Sequence, residues 1–393
     1  MIKTMMNMIS LADVCEINPS KNITGLNDQL EVSFLPMSHV SEQGEVKLTE
    51  TKRLREVKAG FTYFENGDVL FAKITPCMEN GKGAVLTGLK NNIGFGSTEF
   101  HVLRPKAGVN SHWLYHITKS KEFRKLAEIN MTGSAGQKRV PVSFFHKFKL
   151  NVPTLEVQQK IANTLDKVKE LIDKRKVQIE VCDELVKCLF YDMFGDPVKN
   201  NKNHKIISLE EIGEWKSGGT PSRSNKEFYN GSIPWLSSGE LNSIYTKDSL
   251  EHINEDAIKN SSAKLIPKES LLLGMYDTAA LKSTINLVDC ACNQAIAYAK
   301  LNDSMVNTVF VYYGIQFGKE FYKSQQRGVR QKNLNLSMVK DIKVLYPPLD
   351  LQNRFAEQVK KIEYQKQRLQ QSLTELENNF NALMQRAFKG ELF

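Results

Sequence analysis

The residues best placed to do chemistry in this sequence are hydrogen-bond donors for a polyanion. "SGGTPSRSN" (217–225) joins two glycines and four hydroxyls to Arg223. "KITPCMENGKG" (73–83) carries Lys73, Thr75 and Lys82, and "LKST" (281–284) carries Lys282. "MTGSAGQKRVPVSFF" (131–145) supplies Gln137, Lys138 and Arg139, and "SQQRGVRQKNLNLSM" (324–338) supplies Arg327, Arg330, Gln331 and Lys332. Arg and Lys grip phosphates or reach the edge of guanine, and Asn and Gln suit adenine. Taken one at a time these are also ordinary surface turns. The pair of closing loops says more, because Gln137-Lys138 and Gln331-Lys332 recur 194 positions apart, each pair with arginine beside it.

Catalytic and cofactor patterns are missing. Neither "NGKG" (80–83) nor "GKE" (318–320) has the first glycine or the Ser/Thr of a phosphate-cradling loop. "YPPL" (346–349) lacks the Asn/Asp and aromatic ends of an adenine-methylating turn, and no glycine-rich turn joins a strand to a helix as a methyl-donor pocket requires. Asp28 with "EVK" (45–47) is too common a pattern to mark a metal nuclease. His112 and His116 read as the polar surface of a helix. Cys15, Cys77, Cys182, Cys188, Cys290 and Cys292 form no C-x-x-C pair and read as buried free thiols. No catalytic residue, metal ligand or cofactor site is therefore assigned to the chain.

These loops must be carried by a duplicated scaffold. "KLNVPTLEVQQKIANTL" (149–165) returns as "KVLYPPLDLQNRFAEQV" (343–359), matching Lys149 with Lys343, Pro153 with Pro347, Leu155 with Leu349 and Gln158 with Gln352. After each proline comes a 3.5-residue apolar seam. The first runs through Ile161, Leu165, Val168, Ile172, Ile179, Val186 and Leu189, with Arg175 as its basic interruption. The second runs through Phe355, Val359, Ile362, Leu369, Leu373, Leu376, Phe380 and Leu383, interrupted by Lys366. Each helix stops at a glycine, Gly195 or Gly390. From Ile161 to Met193 a helix is about 48 Å long, so the two pair as a coiled-coil rod.

Ahead of each rod lies a mixed, mostly β segment. "GDVLFAKIT", "GKGAVLT" and "STEFHVLRP" read as strands and "SHWLYHITKSKEFRKLAEI" as one helix. "ESLLLGMYD", "STINLV" and "NQAIAYAK" with helix "VNTVFVYYGIQFGKEFYKS" repeat that order. The expected class is α+β, with domains at 1–152 and 201–346 and helices at 153–200 and 347–393. Of the net charge of +9 most sits in the two β-rich segments, where it offsets phosphate. No apolar run approaches the roughly 20 residues of a membrane span, and a cytoplasmic protein is expected.

"IPWLSSGELN" after "SGGTPS", "CNQAIA", "PPLDLQNRFAEQV", "LVKCLFYDMFGDPV" and "LMQRAFKGELF" together resemble the DNA-specificity subunit of type I restriction-modification systems. The first domain departs from that pattern, with "LADVCEINPSK" in place of "GGTPS" and "GSTEFHVLRP" in place of "CNQAIAYAK". The resemblance implies a non-catalytic chain whose two target-recognition domains each read half of a split site on double-stranded DNA. It further implies an antiparallel coiled coil that sets the gap, two docked methyltransferase subunits carrying S-adenosylmethionine, and a restriction/translocase subunit. A coiled-coil adaptor and a stand-alone DNA-binding regulator are the alternatives.

Overall fold

A computed structural model of the chain describes residues 8–134, 136–276, 280–324 and 333–393. They fall into two compact units, Met1–Lys176 with Gln371–Phe393, and Val177–Gln370. In the first, β1 (Ile9–Ser10), α1 (Leu11–Val14) and β2 (Cys15–Ile17) lead to β3 (Glu31–Leu35), β4 (Thr51–Arg53), α2 (Leu54–Val57) and β5 (Thr62–Glu65). There follow β6 (Val69–Ala72), β7 (Gly83–Val85), β8 (Ile93–Gly96), β9 (Phe100–Pro105), α3 (Ser111–Lys119), α4 (Lys121–Ile129), α5 (Ser143–Lys147) and β10 (Lys149–Leu150). The chain then enters α6 (Leu155–Phe194).

The second unit repeats the plan. It contains β11 (Lys205–Ser208), α7 (Leu209–Ile212), β12 (Lys216–Ser217), β13 (Ile233–Leu236), β14 (Tyr245–Thr246), β15 (Glu251–Ile253) and α8 (Glu255–Asn260). Next come β16 (Leu271–Gly274), β17 (Ser283–Asn286), β18 (Ala291–Cys292), β19 (Ile296–Ala299), α9 (Thr308–Ser324), α10 (Leu336–Lys340), β20 (Lys343–Tyr346) and α11 (Leu349–Lys389). The sheet order β2-β9-β6-β7 reappears as β12-β19-β16-β17, extended by β14. The order β4-β3-β8-β5 reappears, one strand shorter, as β15-β13-β18. In both second sheets an antiparallel and a parallel neighbour flank the central strand, β3 or β13.

All four residues of β6 and of β16 are buried, which explains their unbroken apolar runs, "VLFA" and "LLLG". Aromatic rings fill the space between sheet and helices. Phe71, Phe123, Phe144 and Phe145 pack edge to face in the first unit. In the second, Phe355 meets Phe190 and Phe194 edge to face, as Phe310 meets Phe194.

Within each unit a part of α6 lies beside a part of α11 in the opposite direction. In the first, Ile161 and Leu165 share a core with Met384 and Ala387, while Lys176 pairs with Glu377. In the second, Phe190 and Phe194 meet Phe355, while Lys366, the basic interruption of its seam, reaches Asp183. The seam positions are buried or half-buried throughout. Both helices end at a left-handed glycine, Gly195 at φ 77° and Gly390 at φ 73°.

The repeated phrase fastens each domain to its helix through a buried glutamine. Gln158 Oε1 accepts from Asn110 N (2.8 Å), and its Nε2 donates to the carbonyls of Pro153 and Gly108. Gln352 Oε1 accepts from Asn307 N (2.9 Å), and its Nε2 donates to Pro347 O. Neither exceeds 1% exposure, so a lost partner cannot be replaced by water.

Three expectations need correction. The helix expected over 111–129 is two, because Ser120 is extended at ψ 143° and uses its hydroxyl to cap Phe123 N; α9 runs uninterrupted. His112 and His116 are no mere polar surface. His116 is buried, and both rings bond the Asp166 carboxylate at 2.8 Å, tying α3 to α6. Burial works to raise that carboxyl, but the two histidine hydrogen bonds outweigh it and hold it below the usual range. The same bond raises His112, whereas burial lowers His116. Lastly, Cys188 is exposed and Cys77 half-buried, while the other four thiols are buried. Among the described residues no helix is long and apolar enough to cross a membrane.

Replacing Gln352 by Ala strands the Asn307 N–H and should cost about 1–3 kcal/mol, read by urea unfolding. His112→Ala should destabilise the chain more at low pH than at high pH. A raised folded pKa contributes fully below the unfolded value of about 6.5 and fades as pH rises past the folded one. Unfolding curves at pH 5.5 and pH 8.5 check the sign.

Candidate nucleic-acid interface

In the first unit the structure brings the candidate residues of two distant loops together. The hairpin between β6 and β7 carries Lys73, Thr75 and Lys82, and the loop before α5 carries Gln137, Lys138 and Arg139. Thr75 N donates to Lys138 O (3.1 Å) and Val140 N to Lys73 O (2.9 Å). Ile74 forms a β-bridge with Arg139, which also bridges to Thr132. The two loops are therefore one surface.

Among its described residues the second unit repeats two such bonds. Leu334 N donates to Met275 O as Val140 N does to Lys73 O, and Gly274 N donates to Lys282 O as Ala72 N does to Lys82 O. Lys82 and Lys282 thus occupy equivalent places, each preceding the second strand of its hairpin. Both ammonium groups turn back onto the protein, Lys82 to Met37 O (3.3 Å) and Lys282 to Asn242 Oδ1 (2.9 Å). Arg327, Arg330, Gln331 and Lys332 lie outside the described residues.

The two described arginines are held by carboxylates that the sequence reading missed. Arg139 makes a bidentate pair with Glu99 at 2.8 and 2.9 Å, and its Nη1 donates to Gln137 O. Arg223 makes a bidentate pair with Glu251 and lies over the Tyr229 and Trp235 rings at 4.5 and 5.0 Å. These hydrogen bonds raise both guanidinium groups and hold Glu99 and Glu251 below the usual carboxylate range. Glu99 lies 40 residues from Arg139, and only the adjacency of β6 and β9 brings them together. Near Arg223, the Thr220 hydroxyl donates to exposed Gln294 Oε1, a further amide outside the expected set. Thr75 bonds Glu79 at 2.8 Å, whereas Lys73 and Lys138 make no ion pair among the described residues. Among those residues no group of His, Cys, Asp and Glu could hold a metal ion.

Such a surface can present cations and amides on rigid backbone. The chain is 42% identical over 171 residues to the type I restriction enzyme EcoAI specificity subunit of Escherichia coli, a match covering 43% of this chain and 29% of that protein. It thus spans under a third of that relative. It is 24% identical over 331 residues to the MjaIX specificity subunit of Methanocaldococcus jannaschii, covering 80% and 74% of the two chains. Its fold is shared with the type I restriction-modification S subunit from M. genitalium, at TM-score 0.57 and 14% identity over 99% and 98% of the chains. The family model for the type I restriction modification DNA specificity domain matches twice, over residues 4–181 and 201–378. The chain therefore belongs to the type I restriction modification DNA specificity domain family.

Proposed function

We propose that this chain is the DNA-recognition subunit of a type I restriction-modification complex and catalyses nothing itself. Each globular domain (1–152 and 201–346) reads one half of a bipartite site in duplex DNA. The helices at 153–200 and 347–393 set the gap and dock two methyltransferase subunits, which carry S-adenosylmethionine, while a restriction/translocase subunit completes the cytoplasmic assembly. The observation that supports this most is the same hairpin-and-loop surface built twice, with Lys82 and Lys282 in matching places. Two readers on one duplicated scaffold suit a split site better than a single continuous one.

Within the first reader, Lys73 and Lys138 are the phosphate contacts, and Arg139 is a contact regulated by Glu99. Lys82, Lys282, Thr75, Gln137 and Arg223 shape or border the reading surfaces. Arg327, Arg330, Gln331 and Lys332 extend the second reader's closing loop.

Sequencing of modified bases in a host carrying this chain and its neighbouring methyltransferase gene tests the reading. A motif of two short half-sites with a fixed gap, lost when this chain is deleted, is expected; an active methyltransferase with no such motif refutes it. In the same map, removal of residues 176–182 together with 370–376 should shorten the gap and leave both half-sites intact. Glu99→Gln should strengthen non-specific DNA binding by the assembled complex and steepen its log–log salt dependence by about one charge. Titrations at several salt concentrations, with Arg139→Ala as the opposite case, check this.

A further inference from the structure

Lys119 and Gln316 stand nine residues after the equivalent Asn110 and Asn307, the residues bonded by the two buried glutamines. From these matching places, each reaches the same carbonyl of its hairpin. Lys119 Nζ donates to Gly81 O (2.8 Å) and Gln316 Nε2 donates to Leu281 O (2.9 Å). Those carbonyls belong to the residues immediately before Lys82 and Lys282.

Both residues are left-handed, Gly81 at φ 91° and Leu281 at φ 58°. For a fully buried leucine that conformation is strained, and it persists only where the surroundings enforce it. At Gly81 an added Cβ would lie 3.1 Å from Lys119 Nζ and 3.3 Å from the Arg124 guanidinium, so the cations sit directly against the turn. Lys119 also bonds Glu42 O, Arg124 bonds Met78 O, and Gln316 also bonds Ser283 Oγ. No carboxylate pairs with Lys119 or Arg124 among the described residues. Backbone carbonyls are what these side chains hold.

We infer that Lys119 and Gln316 are positioning residues for DNA reading, each fixing the left-handed turn that aims its domain's hairpin at one half-site. This rests on the proposed function, deepening it to named residues on the helix behind each reader. Neither residue touches DNA; each acts through the turn it holds. The first domain uses a lysine amine and the second a side-chain amide for one task.

The experiment maps methylated motifs made by the full complex with the wild-type chain, Lys119→Met, Lys119→Gln and Gln316→Leu. Lys119→Met should raise methylation at sites with one wrong base in one half-site by about tenfold, the scale of one lost base contact. Gln316→Leu should relax the other half-site, and Lys119→Gln, which keeps a donor, should restore the wild-type motif. Motifs unchanged by both apolar variants overturn the inference, as do half-sites relaxing together or Lys119→Met and Lys119→Gln behaving alike. A wild-type map without a bipartite motif refutes the DNA-reading function instead, so the two failures are told apart. Should Lys119→Met yield no complex, the Gln316→Leu map alone decides: one relaxed half-site supports the inference and an intact motif overturns it.

Discussion

The structure depends on two buried amides. Gln158 and Gln352 each sit where a β-rich domain hands the chain to a long helix, and each has its carbonyl and amide ends occupied by backbone groups. A buried amide with a missing partner costs more than the bond itself gains, so the two ends of this contact specify one another. The bonded backbone at Asn110 and Asn307 begins α3 and α9, which pack on the sheet, while Pro153 and Pro347 begin the rods. One side chain thus ties the β-rich domain to its helix in both copies.

What lies beyond that shared joint has diverged while keeping its geometry. In the first unit the tie to the long helix is His112 and His116 on the Asp166 carboxylate; in the second, the Tyr313 hydroxyl donates to Glu363 at 3.1 Å. Burial lowers His116 and raises Tyr313, so in each case the uncharged ring is the one the core prefers. The hairpins show the same pattern, with one carbonyl bonded by a lysine amine in one copy and by an amide in the other. Duplication preserves the acceptor and changes the donor.

The long helices were legible because their signal is local and repeated: a proline, a fixed apolar period and a terminal glycine. Three strands of each first sheet, β6, β7 and β9 and then β16, β17 and β19, were legible as apolar runs. The second sheet of the first unit was not, since β4 is short and edge-lying and β8 is "IGFG", whose glycines carry no strand preference. The correspondence of the hairpins was hidden for another reason. The offset between copies is 194 at the helices but 200 at Lys82 and Lys282, so a constant frame misaligns the loops. Glu99 and Glu251 left no trace, because an ion pair between segments 28 or 40 residues apart has no sequence period.

The paired arginines bear on how a reader of this kind discriminates. A free guanidinium on the surface would attract any phosphate, and its affinity would be mostly non-specific. Arg139 is instead neutralised by Glu99 with two parallel hydrogen bonds and fixed by a third to Gln137 O. An acceptor gains from Arg139 only if it can replace or share that carboxylate. Arg223 repeats the arrangement with Glu251 and adds two aromatic faces that hold the guanidinium plane. Under the proposed function, a carboxylate beside each arginine lowers its general attraction for phosphate, which favours contrast over affinity.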